Sequence, residues 1–292
     1  MNGMGVFVAV VDTGSFAAAG DSLEMSQPGV SRAIARLEAR LGVRLFDRTT
    51  RTVSLTQDGQ RFHALVMPLL AGLEEAADST SRGATVVGGR LRVNIDPAMA
   101  RLLGGALLGE FLRAYPDIQL ELVSRERLGD LLGEGFDMAL RFGEPAAANL
   151  QSSEVLQTRV LTVASPGYIE RYGRPQTPEA LTEHRCIQFR DADQGRLLDW
   201  TFMRGRERMT VPTECALTVN DINLVRSFCL AGEGIAQIMA IGSRVLIEEG
   251  RLINLFAQWS DAYVPLYALL PPRVTPAAKS RAFIDFVGAK LR

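Results

Sequence analysis

Apolar residues in the first part of the chain recur in three short bursts, at the three-to-four spacing of amphipathic helices. Met4 to Thr13 predicts a first helix with Phe7, Val8 and Val11 inward. Ser15 is a good N-cap for a second, because its hydroxyl can accept from a backbone N–H left open in the first turn. Phe16, Ala19 and Leu23 follow it at helical spacing. Glu24-Met25 leaves room only for a turn before Ser26, another N-cap, and Pro28 falls in the first turn, where a missing N–H costs nothing. Val30, Ile34, Leu37 and Leu41 then form one apolar stripe, with Gln27, Pro28, Ser31, Arg32, Ala35 and Arg36 lying off it. Arg44 to Leu55 reads as two short strands around a tip rich in Thr and Arg. Thr56 caps a long helix, Gln57 to about Ser81, whose stripe is Phe62, Leu65, Val66, Leu69, Leu70 and Leu73. Pro68 removes one of its hydrogen bonds, at about 3 kcal/mol, and predicts a kink.

Ser79 to Gly89 (STSRGATVVGG) is a linker of small residues, after which strand and helix patterns alternate. Strands are predicted at Leu91–Ile95, Ile118–Val123, Met138–Phe142, Val160–Ala164, Cys186–Phe189 and Ile235–Ile238. Between them lie helices at Met99–Leu112, Leu128–Leu132, Pro166–Tyr172 and Ile222–Ala231. Trp200–Met203, Met209–Val211 and Leu217–Val219 look like meandering strands, and a strand Val264–Leu270 with a helix Ala277–Leu291 closes the chain. Crossovers of this length argue a parallel α/β sheet.

At 292 residues, two domains are expected, or three if one fold is discontinuous. Hydrophobic residues at 47% and charged residues at 22% describe a globular protein with cores. Cys186, Cys215 and Cys229 are widely spaced, without a Cys-x-x-Cys, and read as reduced thiols, with a redox role left open. His63 and His184 stand in no metal-ligand spacing, so neither a metal nor a cofactor is expected. No apolar run approaches the ~20 residues of a membrane helix, and Val6–Val11 is a core helix with no basic residues ahead of it. A cytoplasmic protein without membrane contact is expected.

Charge sharpens this picture. From Ser26 to Thr56, six arginines (32, 36, 40, 44, 48, 51) meet only Glu38 and Asp47, a local balance of +4, while the whole chain carries −1. Positive charge therefore gathers where small and hydrogen-bonding side chains begin a capped helix, as a major-groove reading helix needs. Ser26, Gln27, Pro28, Ser31, Arg32 and Arg36 are the candidate reading or positioning residues. Arg48, Thr50 and Arg51 of the tip are candidates for phosphate or minor-groove contact. An ordinary helical hairpin with a solvated basic face has the same periodicity. Phe62, Leu65, Val66, Leu69 and Leu73 are candidates for a dimer seam, since a helix leaving a small domain has no core of its own to bury them. Packing on the same chain is the alternative.

GSFAAAGDSLEMSQPGVSRAIARLEARLGVRLFDRTTRTVSLTQDG resembles the N-terminal winged helix-turn-helix of the LysR-type transcriptional regulators, in its GSF start, its SQPxVSRxIxxLExxLGxxLFxR core and its RTTRxVxLTxxG wing. Gly29 departs from the Ala or Ser usual there, at roughly 1 kcal/mol of helix stability. The remainder is similar to the effector-binding region of the same regulators, through GxLRVN (89–94), FLxxYPDIxLEL (111–122), GFDMALRFG (135–143), VASPGYIERYGRPQTPEALTEHRCI (163–187) and AGEGIAQI (231–238). The resemblance implies residues 1–59 as a winged helix-turn-helix, 57–89 as a linker helix and hinge, and 90–292 as a two-lobed α/β domain like the periplasmic binding proteins. One lobe would hold about 90–163 and 266–292, the other about 164–265.

Ligands of open α/β sheets sit outside the carboxyl ends of strands. That rule selects Asp96, Pro97 and Ala98 after the first strand, Arg125 after the second, Arg141 and Gly143 after the third, and Ser165 near the crossover. Asn220, Asp221 and Gln237 would face them from the second lobe. Arg141 is expected to pair with Asp96 or Asp221 until a small organic acid replaces that partner. The implied function is a ligand-responsive regulator that binds double-stranded operator DNA as a homodimer or homotetramer, is associated with the nucleoid, and touches RNA polymerase if it activates. A solute-binding protein would fit the C-terminal region alone. An enzyme is disfavoured, because no nucleophile elbow, phosphate loop or paired histidine assembles a catalytic group.

Overall fold

The structure, a computed structural model, describes residues 3–48, 53–63, 65–66, 69–70, 87–145, 150–191, 195–213, 215–272 and 277–291. The chain divides into two compact units, one of Met1–Val86 with Asp130–Phe136, the other of Val87–Gly129 with Asp137–Arg292.

The first unit begins with three helices, α1 (Gly3–Thr13), α2 (Phe16–Ser22) and α3 (Gln27–Leu41). Because α1 packs on both α2 and α3, its inward arc is Val6, Phe7 and Val10, with the expected Val8 and Val11 only partly buried at its margin. Ser15 and Ser26 cap as predicted: Ser15 Oγ accepts from Ala18 N (3.4 Å) and Ser26 Oγ from Gly29 N (3.3 Å). The turn between α2 and α3 is closed by Met25 N donating to Gly20 O (2.9 Å). A Cβ on Gly20 would lie 2.7 Å from Met25 O, so this approach admits only glycine. Val30, Ile34 and Leu37 are buried together with Ala33, but Leu41 is exposed. It falls in the last turn, where Gly42 (φ 75°) takes the left-handed conformation and ends α3.

Strands β1 (Phe46–Arg48) and β2 (Val53–Leu55) pair antiparallel as the expected wing, Phe46 opposite Leu55. Its tip, with Thr50 and Arg51, lies outside the described residues, as does the side chain of Arg48. The wing is fixed at its base. Glu38 Oε1 accepts from Leu45 N (2.8 Å) and Phe46 N (3.3 Å), and Thr56 Oγ1 donates to Arg44 O (2.6 Å) while accepting from Gly59 N (2.9 Å). Thr56 is thus the N-cap of a helix described over 57–63, 65–66 and 69–70. Pro68 and Leu73 fall outside the described residues.

The second unit is built on two sheets that share a strand. One has the order β4 (Ile118–Ser124), β3 (Gly89–Ile95), β5 (Met138–Phe142), β13 (Tyr263–Leu270), β6 (Gln151–Ala164). The other has β10 (Cys215–Val219), β7 (Cys186–Phe189), β11 (Ile235–Met239) and then β6, with β12 (Ile253–Asn254) also on β6. Residues 151–159 of β6 pair with β13, and 160–164 with β11 and β12. β6 is therefore the strand that passes from one lobe to the other. The pairs β3–β4, β3–β5, β7–β10 and β7–β11 are parallel, whereas those of β6 and β13 are antiparallel, so the sheets are mixed. Leu91, Val93, Ile95, Phe111 and Phe283 pack in the first lobe's core, and Val163, Ile187, Val225 and Ile238 in one core of the second.

Several expectations change here. The helix predicted at Leu128–Leu132 is a loop and turn, with Gly129 (φ 68°) left-handed within it and Gly135 (φ 70°) left-handed after it. The first helix of the second unit is Pro97–Ala114, starting two residues early because Asp96 caps it and Pro97 opens it. Of the three meandering strands, β8 (Trp200–Arg204) and β9 (Glu207–Val211) form a separate hairpin, but Leu217–Val219 belongs to β10 at the sheet edge.

Candidate nucleic-acid interface and effector cleft

In α3 the buried stripe sets what remains outside. Gln27, Pro28, Arg32, Ala35 and Arg36 are exposed, and Ser31 is half-buried beside them. Ser26 satisfies Gly29 N, and Gln27 and Arg32 lie within the first two turns of α3, the end at which a helix presents unpaired N–H groups and a partial positive charge. An exposed amide and two guanidiniums on one capped helix form a surface able to meet base edges and phosphates. In a helix this close to Ser26, a Cβ at Gly29 would stand 3.2 Å from the capping hydroxyl, so glycine gives the cap room.

The expected dimer stripe divides. Phe62 packs edge-on to Phe7 at 5.2 Å and Val66 is buried, so both serve their own chain. Leu65 and Leu69 are 70% and 68% exposed, two large apolar side chains that the described residues leave uncovered. His63 is buried close to the Phe7 ring, and loss of water holds its imidazole below the ordinary range.

At the strand ends of the second unit, most predicted effector residues are engaged in holding the fold. Asp96 is buried, its Oδ1 accepting from Met99 N and its Oδ2 from Phe142 N, both at 2.8 Å. Burial pushes its carboxyl upward against the pull of those donors and of Arg141. Ser165 caps the helix Pro166–Tyr172, and Asp221 caps Ile222–Leu230 through Asn223 N (2.7 Å). Arg125 Nη2 donates to Leu128 O at 2.8 Å. Gly143 turns the chain at φ 96°, with its N on Pro265 O (2.9 Å). Asn220 is exposed and Gln237 half-buried on β11.

Arg141 is also engaged with the backbone. Its guanidinium donates to the carbonyls of Arg125 (2.7 Å) and Glu126, with Asn94 Oδ1 at 3.5 Å. Asp96 accepts from backbone donors with both oxygens and also feels the Arg141 charge, which draws its carboxyl downward. Arg141 holds the segment after β4 in place.

That segment carries Glu126, which the sequence did not single out. Its Oε1 is buried without a hydrogen-bond partner among the described residues. Desolvation first, then Asp221 and Asp96, push its carboxyl up to about 7, with Arg141 opposing and Asp191 adding to the rise. Pro97 and Ala98 do meet the second lobe. Asn223 Nδ2 donates to Pro97 O (3.2 Å), and Ala98 lines a cavity of about 10 Å³ with Arg101, Asn223, Arg226, Ile238 and Ser243. Arg101 Nη1 also reaches across, to Gly242 O at 3.2 Å. Arg101, Asn223 and Arg226 escaped the sequence reading because the strand-end rule was applied to loops and not to the first turns of the helices that follow. An open groove of about 580 Å³ along residues 154–159 of β6, with Ile241, Tyr263 and Leu291, is larger.

Of the cysteines, Cys186 and Cys229 are buried thiols; burial pushes Cys229 up to about 12, and its Sγ donates to Val163 O. The side chain of Cys215 lies outside the described residues. Among the described residues, no group of three His, Cys, Asp or Glu is placed to hold a metal, and no single helix is long and apolar enough to cross a membrane.

Comparison with known proteins gives a consistent result. The family model "Bacterial regulatory helix-turn-helix protein, lysR family" matches residues 1–60, and "LysR substrate binding domain" matches residues 84–292. An HTH-type transcriptional regulator of Xanthomonas campestris is 33% identical over 290 residues, spanning 98% of this chain and 84% of its own length. The HTH-type transcriptional regulator CrgA of Neisseria meningitidis serogroup C is 34% identical over 289 residues, 98% of this chain and 95% of its own. The solved structure of CrgA, described as a LysR-type transcriptional regulator, superposes with a TM-score of 0.63 at 32% identity, covering 100% of this chain and 98% of that one.

Proposed function

The chain belongs to the LysR family of transcriptional regulators, and from that premise we propose which residues carry its two activities. It has a DNA-binding helix-turn-helix and an effector-binding domain of two α/β lobes, in a family that binds DNA and small-molecule effectors and forms oligomers. That family is one of regulators, not of enzymes, and we assign this chain no catalytic role. The DNA-binding domain is residues 1–59, the linker 57–89 and the effector domain 90–292, with lobes of about 90–163 plus 266–292 and about 164–265. Gln27, Ser31, Arg32 and Arg36 read or position the operator, Ser26 and Pro28 set the helix start that presents them, and Arg48, Thr50 and Arg51 hold its backbone. The protein acts in the cytoplasm on nucleoid DNA, as a dimer or tetramer joined through Leu65, Leu69 and Leu73, and it contacts RNA polymerase where it activates.

The observation that carries this reading is the exposure of Gln27, Pro28, Arg32 and Arg36 on one side of a capped α3 whose other side buries Val30, Ala33, Ile34 and Leu37. A glutamine amide can pair with an adenine edge, and an arginine with guanine or phosphate. Selection of bound sequences from random duplex DNA by the purified protein should yield a defined site. Gln27→Ala should then cost about 1–3 kcal/mol on that site and little on random DNA. Equal losses on both would mean that α3 does not read bases.

A further inference from the structure

The turn that leads into α3 carries a carboxylate on strained backbone. Glu24 has φ 53°, in the left-handed region, and every other left-handed position among the described residues is a glycine. A side chain there crowds its own backbone, which glycine avoids. The turn itself does not need the carboxylate. Glu24 N donates to Asp21 O (3.4 Å) and Met25 N to Gly20 O (2.9 Å). A Cβ on Gly20 would stand 2.7 Å from Met25 O, so close backbone contacts fix the path of the chain. The Glu24 side chain is exposed, and among the described residues no hydrogen bond or ion pair engages its carboxylate. Two peptide units separate Glu24 from Ser26, the cap of α3. It therefore lies within about 8 Å of the helix start that presents Gln27 and Pro28. A surface that only had to hold phosphates would do better without this charge. Strained backbone that a fold could avoid marks functional positions.

We infer that Glu24 is a specificity-determining residue, which meets the major-groove edge of a cytosine beside the bases contacted by α3. This rests on the reading of α3 as the DNA-reading helix, and adds to it one residue and one base. An ionised carboxylate can only accept hydrogen bonds. In the major groove cytosine offers its N4 amino group, a donor. Guanine offers the acceptors N7 and O6, thymine the acceptor O4, and adenine an N7 acceptor beside an N6 donor. Glu24 therefore gains a hydrogen bond at cytosine and meets lone pairs at guanine and thymine. Against phosphate its charge is repelled. The carboxylate thus sharpens selection by what it rejects as well as by what it binds. It stands next to a helix whose exposed charges include Arg32 and Arg36, and so sets one acceptor against their donors.

The test is selection of bound sequences from random duplex DNA by the full chain, by Glu24→Gly and by Glu24→Gln. Affinities for the selected site and for random DNA are then compared at one salt concentration. The natural chain should prefer cytosine over guanine and thymine by about tenfold at one position beside the bases that depend on Gln27. Glu24→Gly should lose that preference, keep the others, and bind random DNA about threefold more tightly. Glu24→Gln should move the same position towards adenine, whose N6 and N7 a glutamine amide can meet together. Glycine takes φ 53° freely, so Glu24→Gly should melt no lower than the natural chain. The inference is overturned if Glu24→Gly selects the same site with the same base preferences, or if its affinity for random DNA does not rise. Loss of preference at every position also overturns it, since Glu24 would then serve the turn and not a base. The regulator reading fails separately, if the natural chain selects no sequence at all.

Discussion

Glu126→Gln offers a direct measure of the electrostatics in the cleft. The residue is half-buried after β4 with Oε1 closed off from water. Its carboxyl is pushed from the ordinary 4.5 to about 7 by desolvation and by Asp221 and Asp96. The sign follows from which state keeps the proton. In the unfolded chain Glu126 ionises near 4.5, so between there and 7 the folded protein holds a proton the unfolded one has lost. Stability is then fully present below about 4.5, falls as the pH rises towards 7, and is level above it. At 1.36 kcal/mol per pH unit the whole interval would be worth about 3 kcal/mol; the solvent-facing half of the side chain screens this to roughly 1 kcal/mol. Glutamine mimics the neutral acid and cannot ionise. The variant should match the natural chain at pH 4.5 and exceed it by about 1 kcal/mol at pH 8, a rise of about 2–4 °C in melting temperature. Paired melts across that range cancel every other titrating group. A difference that does not change with pH, or one that grows towards acid, would show that Glu126 is an ordinary solvated carboxylate.

Arg48→Ala and Arg51→Ala should each weaken binding to all sequences and lower the slope of log affinity against log salt by about one; an unchanged slope in both removes the wing from the interface. Leu65→Arg and Leu69→Arg place a charge on the two most exposed apolar positions described in the linker helix, so sedimentation should show monomers with lost operator affinity, whereas intact dimers would mean that the seam lies elsewhere. Gly20→Ala puts a Cβ 2.7 Å from Met25 O and should cost about 1–3 kcal/mol of stability in the helix-turn-helix; a neutral effect would mean that the turn between α2 and α3 can open without loss.

How much of this was legible follows from the range of the interactions concerned. Ser15, Ser26 and Thr56 were readable as caps because a cap joins residues three apart in sequence. Phe16, Val30 and Ile34 were readable as core because helical periodicity is also local. The first half of β6 was missed for a related reason: Gln151, Ser152, Ser153 and Glu154 are all exposed on a sheet edge and show no alternation. Glu38 looked like a counter-charge within a basic run. Its carboxylate in fact ties α3 to the wing, which depends on the chain returning after Gly42. Arg141 was rightly placed at a strand end, but its partners come from the loop after β4. Nothing in the residues around position 141 encodes that loop's path.

Arg101 and Arg226 meet only because the topology brings together the helices that follow β3 and β10, and this juxtaposition gives the cleft its physical character. Glu126 and Asp221 stand on opposite lobes, as do Arg101 and Arg226, and both pairs are like-charged. At neutral pH each pair pushes the lobes apart. Against them stand the two side-chain bridges, Asn223 to Pro97 O and Arg101 to Gly242 O, worth about 1 kcal/mol apiece. Removal of either like-charge pair should therefore favour the contact between the lobes. Glu126→Gln and Arg226→Gln should act in the same direction on lobe closure, although the two substitutions change the net charge oppositely.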